Sequence, residues 1–187
     1  MKTKGFINQM GMFFDNHKYH LFMILFSILA LLSFLLLPVL SQSPGGPGKH
    51  EYTGWEMIFG FVMPGAGSWE PNPGDELLRT GMGFSWMLSL IPILICLSII
   101  INILNIFDFH IKYDAHLILV SLIMILVLTL TSIYWINYQP NIPEGTTLNP
   151  ISINELNLYI GGYLSLVCSF VTITIASYQV YKTRLKK

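Results

Sequence analysis

Four long runs of apolar residues stand out along this 187-residue chain. None of them contains a charged residue, and polar side chains interrupt them rarely, as Ser121 and Thr129 do in the third run. The hydrocarbon core of a bilayer is about 30 Å thick and is crossed by about 20 residues of α-helix. A helix also satisfies its own backbone hydrogen bonds, which lipid cannot do. The pattern therefore predicts transmembrane helices over residues 21–40, 84–107, 117–136 and 156–181.

The composition agrees with this pattern. Hydrophobic residues make up 53 % of the chain and charged residues only 11 %, about half the charge of an average soluble domain. The predicted fold class is an all-α integral membrane protein: one domain, residues 1–187, formed by a four-helix bundle with a larger first loop outside the cytoplasm. The net charge of zero removes any whole-chain argument for nucleic acid as a partner.

Basic residues are distributed unevenly between the apolar runs. Eight of the ten Lys and Arg lie in residues 1–20, 108–116 and 182–187, whereas seven of the ten Asp and Glu lie in the loops 41–83 and 137–155. Cytoplasmic segments of membrane proteins carry the excess of Lys and Arg. We therefore expect both termini in the cytoplasm of a cell, most simply at its plasma membrane, and both longer loops outside.

The N-terminal segment 1–20 precedes the first run and combines apolar residues at helical spacing with three lysines. This is typical of a short helix that lies in the cytoplasmic interface of the membrane. A cleaved signal peptide over residues 1–41 is the alternative, but its apolar run would be longer than the usual signal core of about 7–15 residues. The basic tail 182–187 is expected to lie near anionic lipid.

The first outer loop, residues 41–83, contains an unusual apolar stretch. It opens with SQSPGGPG, a composition that disfavours both helix and strand. Residues 53–69 are aromatic but too short and too rich in Gly and Pro to cross a bilayer. Two interpretations stay open, namely a re-entrant or partner-docking element and a segment resting on the outer leaflet. Its predicted contact residues are Trp55, Phe59, Phe61 and Trp69.

Two features within the runs can support helix association. The second run carries Asn102 and Asn105, whose amides can hydrogen-bond across helices, and Pro92, which is expected to kink the helix. The fourth run has small residues spaced three or four apart, which allow close helix packing. The sequence does not decide whether they face this chain or a second protein. This predicted packing stripe consists of Gly161, Ser165, Ser169, Thr172 and Ala176.

Candidate chemistry is sparse. The inner loop contains a cluster of ligand-type side chains, Asp108, His110, Asp114 and His116, but its spacing matches no metal motif, and we interpret it as a solvated loop in which Asp114 caps the third helix. Cys96 and Cys168 are interpreted as packing residues of the spans. No metalloprotease, hydrolase, nucleotide-binding or redox motif occurs in the sequence, so we expect no enzyme activity, metal or cofactor.

The plan of four spans, cytoplasmic termini and a larger first outer loop resembles that of claudins and related tetraspan proteins. Claudins carry a Trp-Gly-Leu-Trp region followed by two cysteines in this loop, whereas here Gly54 and Trp55 have no such continuation and no cysteine follows. The resemblance is therefore one of topology alone and implies no shared residues or function.

The sequence thus favours a non-enzymatic multi-pass membrane protein that acts by helix association, as an accessory subunit or scaffold of a membrane complex. Its expected partners are the lipid bilayer and a protein or second copy bound through the fourth run and the first outer loop. The alternative is an oligomeric small transporter or channel component formed around Asn102, Asn105 and Pro92. A membrane-bound hydrolase that uses His50 with Glu51 or Glu56 is the weakest hypothesis, because no nucleophile motif is present.

Overall fold

A computed structural model of the chain describes residues 2–42, 50–59, 62–63, 80–81, 84–107, 109, 111–137 and 156–185. Most of these residues are helical. The helices are α1 (Lys2–Leu36), α2 (Gly54–Phe59), α3 (Trp86–Ile106), α4 (Tyr113–Leu128), α5 (Leu130–Asn137) and α6 (Ile160–Leu185). The strands are β1 (Pro38–Gln42), β2 (His50–Thr53), β3 (Val62–Met63), β4 (Thr80–Gly81) and β5 (Leu156–Leu158).

Three helices are long and apolar enough to cross a membrane: the Gly11–Leu36 part of α1, and the whole of α3 and α6. This confirms the prediction of a mostly helical chain with helices long and apolar enough to span a membrane. The four longer helices also expose large apolar side chains along their outer faces, which water would disfavour and lipid would accept. Examples are Leu32, Ile93, Ile125 and Val167.

The third predicted run is divided between α4 and α5 at Thr129. Thr129 N–H donates to the carbonyl of Ile125, and Ile133 N–H donates to the carbonyl of Thr129, so the helical hydrogen-bond pattern continues across the junction. The Thr129 hydroxyl also donates to the Ile125 carbonyl at 2.8 Å, a contact that bends helices. Helix α4 begins at Tyr113 and not near residue 117, so the last residues of the predicted inner loop form its first turn.

The N-terminal segment is helical, but it is not a separate element. Helix α1 runs without interruption for 35 residues, from Lys2 to Leu36. The expected break between an interfacial helix and the first span is therefore absent from α1, and the junction around Lys18 and Tyr19 contains no Gly or Pro that would interrupt the backbone hydrogen bonds.

The prediction of an all-α fold needs correction, because strand β1 pairs antiparallel with both β2 and β5 to form a small sheet. Proline disfavours helical conformation in the residue before it and lacks a backbone N–H, so α1 ends at Leu36 and Pro38 opens β1. The apolar residues at the end of the first run and the start of the fourth therefore lie in strands. Ser41 and Gln42, the first two residues of the SQSPGGPG stretch, also belong to β1.

The helices pack in a closed arrangement in which α1 contacts α3 and α6, and α4 contacts the same two helices from the other side. Their shared core is apolar at the sheet end, defined here as the end that carries β1, β2 and β5. The opposite end, where α3 ends and α4 begins, is called the cleft end because an open cleft lies there. Fully buried side chains of the core include Phe34, Leu88, Ile91, Val127 and Tyr134.

Candidate functional site

A network of polar side chains connects three helices near the cleft end. Nδ1 of His20 lies 3.1 Å from Oδ1 of Asn102, and Nε2 of His20 lies 2.9 Å from the hydroxyl of Tyr113. An amide oxygen can only accept, so His20 Nδ1 donates, and the neutral ring then accepts at Nε2 from Tyr113. The rings of His20 and Tyr113 are also stacked, with centroids 5.4 Å apart and planes 9° from parallel.

The network continues from Asn102 into the bundle. Its amide nitrogen donates to the Ser98 carbonyl at 2.9 Å and lies 3.4 Å from Nε2 of His116. Asn102 and His116 are each only 1 % exposed. Further inward, the hydroxyls of Ser27 and Ser98 are 3.2 Å apart. Burying these polar groups is tolerable because most of them find partners within the chain.

A cleft of about 530 Å³ opens beside this network, between the middle of α1, the end of α3, the start of α4 and the end of α6. Its volume lies within the range of small-ligand sites. His20 and Tyr113 form part of its wall and separate it from the buried Asn102. The remaining charged or ionisable lining residues are His17, Lys112, Asp114 and Arg184.

The cleft holds one close ion pair among its described lining residues. Nη2 of Arg184 lies 3.3 Å from Oδ1 of Asp114, and both side chains are largely exposed. Asp114 does not cap α4 as predicted. It lies in the first turn, and the N-cap is Lys112, whose side chain makes no capping hydrogen bond.

The structure does not keep the inner-loop cluster together as one solvated group. Asp108 and His110 lie outside the described residues, Asp114 pairs with Arg184, and His116 is buried against Asn102. His116 follows Asp114 by two positions and therefore points to another side of α4. Among the described residues, no group of three or more His, Cys, Asp or Glu could hold a metal ion.

The small-residue stripe of α6 faces the chain itself. Its five members are buried, and the Ser165 hydroxyl donates to the Ala30 carbonyl of α1 at 3.3 Å. A Cβ on Gly161 would lie 2.7 Å from the Ser33 carbonyl oxygen, so only glycine fits here without a shift. The stripe thus brings α6 close to α1, which answers the question that the sequence left open.

The other polar and kink candidates of the apolar runs differ in their surroundings. Asn105 forms two hydrogen bonds with the backbone of Ile111, which fasten the end of α3 to the start of α4. Pro92 lies inside α3, half-buried, with helix on both sides of it. Of the two cysteines, Cys96 is exposed on α3 and Cys168 is buried.

Aromatic rings form a second cluster at the sheet end. The centroids of Trp55 and Phe59 are 4.3 Å apart, and those of Phe59 and Phe84 are 5.9 Å apart. These three rings and Trp86 are each more than half exposed. We call Trp55, Phe59, Phe84 and Trp86 the aromatic surface; Phe61 and Trp69 lie outside the described residues.

Helix α2 holds part of this surface rigidly. Glu56 accepts hydrogen bonds from the backbone N–H and hydroxyl of Thr53, and Glu56 N–H donates back to Thr53, which forms a capping box. The Ser85 N–H donates to the Ile58 carbonyl at 2.8 Å and joins α2 to the start of α3. Gly54 meets the Phe34 carbonyl so closely that a side chain would not fit.

Several of these functional candidates were missed by the sequence analysis. His20, Tyr113 and Arg184 were each assigned to polar segments, and nothing in their spacing places them around one cleft. The pattern Thr53-x-x-Glu56 before an apolar stretch was a usable signal for α2.

No protein-family model, curated protein or solved structure matches the chain. The case for a function therefore rests on the geometry of the cleft end and the aromatic surface.

Proposed function

We propose that the protein is a four-span integral membrane protein with both termini in the cytoplasm, and that it acts by association, as an accessory subunit or scaffold of a membrane complex. The third span along the chain, which adds to those of α1, α3 and α6, is the combination of α4, Thr129 and α5. Together they cover 25 residues, about 37 Å of helix at 1.5 Å per residue, which exceeds a hydrocarbon core of about 30 Å.

The placement of the connecting segments supports this topology. Segments that the charge distribution assigns to one side meet at one end of the bundle, as the Arg184–Asp114 pair does at the cleft end. Segments assigned to the other side meet at the sheet end, where β1 pairs with β5. Under this topology the cleft end faces the cytoplasm and the aromatic surface faces the outside.

The aromatic surface is the observation that carries the proposal. Its rings are exposed, yet α2 fixes their positions through the capping box and the Ser85–Ile58 hydrogen bond. Fixed aromatic side chains lose little entropy on binding and dominate the energetics of many interfaces. Because the small-residue stripe is occupied within the chain, we assign partner binding to the aromatic surface and not to α6.

Site-specific photocrosslinking in intact membranes tests this assignment. A benzophenone amino acid would replace Phe59 in one variant and Phe170 in another. Phe170 is the matched control because it is an exposed phenylalanine on α6 at the level of the spans. We expect one protein adduct of defined mass from position 59 and only lipid adducts from position 170.

Lipid adducts alone at position 59 would contradict the proposal and favour the interpretation of the aromatic surface as an anchor in the outer leaflet. The topology is checked separately with cysteine variants. In sealed cells, an impermeant maleimide should label a cysteine replacing Trp55 but not one replacing Lys182, and the opposite pattern would overturn the orientation.

An oligomeric pore around Asn102 and Asn105 receives less support. Both amides are hydrogen-bonded within the chain, and the core between them and the sheet end is filled by side chains such as Ile91 and Phe34.

A further inference from the structure

We propose that the cleft beside His20 and Tyr113 is a binding site for an anionic phosphate group, either the headgroup of an acidic phospholipid or a soluble phosphate-bearing ligand. The proposal goes beyond the accessory function, since it concerns the other end of the bundle and needs no partner protein.

The charges around the cleft favour an anion. Lys112 and Arg184 are cationic and border the same space, and His17 adds a ring nitrogen. The one described carboxylate in the lining, Asp114, lies 3.3 Å from Arg184, so the two cations outnumber it. An anion with several acceptor oxygens can use these donors together, which is the recurring chemistry of phosphate recognition.

The backbone adds to this preference. Helix α4 begins at the cleft, and its N-cap residue, Lys112, supplies no side-chain hydrogen bond to the first turn. The positive end of the helix dipole favours negative charge at that position. Asp114 in the first turn supplies part of this negative charge, and a phosphate would supply more.

The cleft also has features that suit a lipid. It is open, so a headgroup can enter without a conformational change, and Ile111 and Val180 give it apolar wall beside the charged groups. It lies where α3 ends and α4 begins, the level at which headgroups would meet these two spans. A soluble phosphate ligand would use the same donors but leave the apolar wall uncovered.

The test measures binding to the full-length protein in mild detergent. Phosphatidylglycerol and phosphatidylcholine with identical acyl chains are titrated, and bound lipid is counted by native mass spectrometry. Inorganic phosphate is then added as a competitor and, separately, as the only ligand in a thermal unfolding assay.

Two pairs of substitutions make the test specific. K112Q/R184Q removes two cations from the cleft, whereas K18Q/K182Q removes two cations from the same end outside its lining. Lys18 and Lys182 both lie 5.9 Å from the ring centroid of Tyr19. We expect the cleft variant to weaken binding about tenfold, equivalent to about 1.4 kcal/mol, and the control variant to change it about twofold or less. D114N should strengthen binding, because it removes the competing carboxylate.

The measurements with phosphatidylglycerol and with inorganic phosphate distinguish a lipid headgroup from a soluble ligand. Retention of phosphatidylglycerol that inorganic phosphate does not displace supports a lipid headgroup. Stabilisation by inorganic phosphate without a preference for phosphatidylglycerol supports a soluble ligand. Equal losses in the two double variants would overturn the proposal, since binding would then reflect surface charge alone, and so would the absence of binding in every arm. Failure of crosslinking at position 59 would leave these results unaffected.

Discussion

Asn102 of α3 accepts a hydrogen bond from His20 of α1 across 82 positions of sequence, with 3.1 Å between Oδ1 and Nδ1. The same amide donates through its nitrogen to the Ser98 carbonyl. One side chain, itself only 1 % exposed, thus satisfies groups on two elements. This relationship holds the start of the first predicted span against the end of the second.

Replacement of Asn102 with leucine should therefore destabilise the protein by about 1–3 kcal/mol, because His20 would lose a buried partner. The measurement is the unfolding midpoint in detergent. Ile103→Leu is the matched control, since Ile103 is an exposed apolar residue on the same helix. Equal midpoints for Asn102→Leu and the control would show that the bond is dispensable.

The contact between α6 and α1 predicts a sharp difference between two glycines. Gly161→Ala places a methyl group 2.7 Å from the Ser33 carbonyl oxygen, and backbone cannot retreat cheaply, so we expect a loss of about 1–3 kcal/mol. Gly11→Ala meets nothing within 4 Å and should be neutral or slightly stabilising. Comparable stability of the two variants in thermal unfolding would contradict the packing of α6 on α1.

The capping box of α2 predicts a local effect. Thr53→Val removes the hydroxyl that donates to Glu56 and accepts from its N–H, which costs about 1 kcal/mol at a helix N-terminus. Hydrogen exchange of the α2 amides should then accelerate while exchange in α3 stays unchanged.

Thr53→Ser keeps the hydroxyl and serves as the control. If Thr53→Val and Thr53→Ser exchange equally slowly, α2 is held by its contacts with α1 and α3, and the capping box has little role in presenting Trp55.

The Arg184–Asp114 pair should matter little for folding. Both partners are more than half exposed, and exposed ion pairs contribute about 0–1 kcal/mol. Arg184→Gln should thus leave the unfolding midpoint of the ligand-free protein almost unchanged. A large decrease would indicate that the tail of α6 is a structural element, and loss of phosphate binding in K112Q/R184Q would then need a folding control.

Much of the fold follows from local chemistry. Long uncharged runs specify helices that can cross a membrane, and three of the helices meet that criterion. The ends of the apolar runs were less predictable, because apolar residues can be buried in a β-strand as well as in a membrane-spanning helix. Pro38 follows the end of α1 and opens β1, in which Leu40 pairs with Tyr52 of β2 and Leu158 of β5.

The candidate site was far less predictable. Asn102 was identified as polar and intramembrane, but its partners were assigned to a leader and a loop. His20 and His116 have no shared motif, and they come together only because α1, α3 and α4 pack side by side. Hydrogen bonds between distant helices leave no periodic trace in a sequence.

The amino-acid sequence alone indicates which segments are long and apolar enough to lie in a membrane, since a run of 20 uncharged residues has the same burial preference wherever the chain later folds. It also determined the small-residue stripe of α6. What the stripe touches and which polar groups share the cleft depend on how the helices pack. The reason is that transfer into lipid is a property of each segment alone, whereas packing and hydrogen bonding depend on the relative positions of segments far apart in the chain.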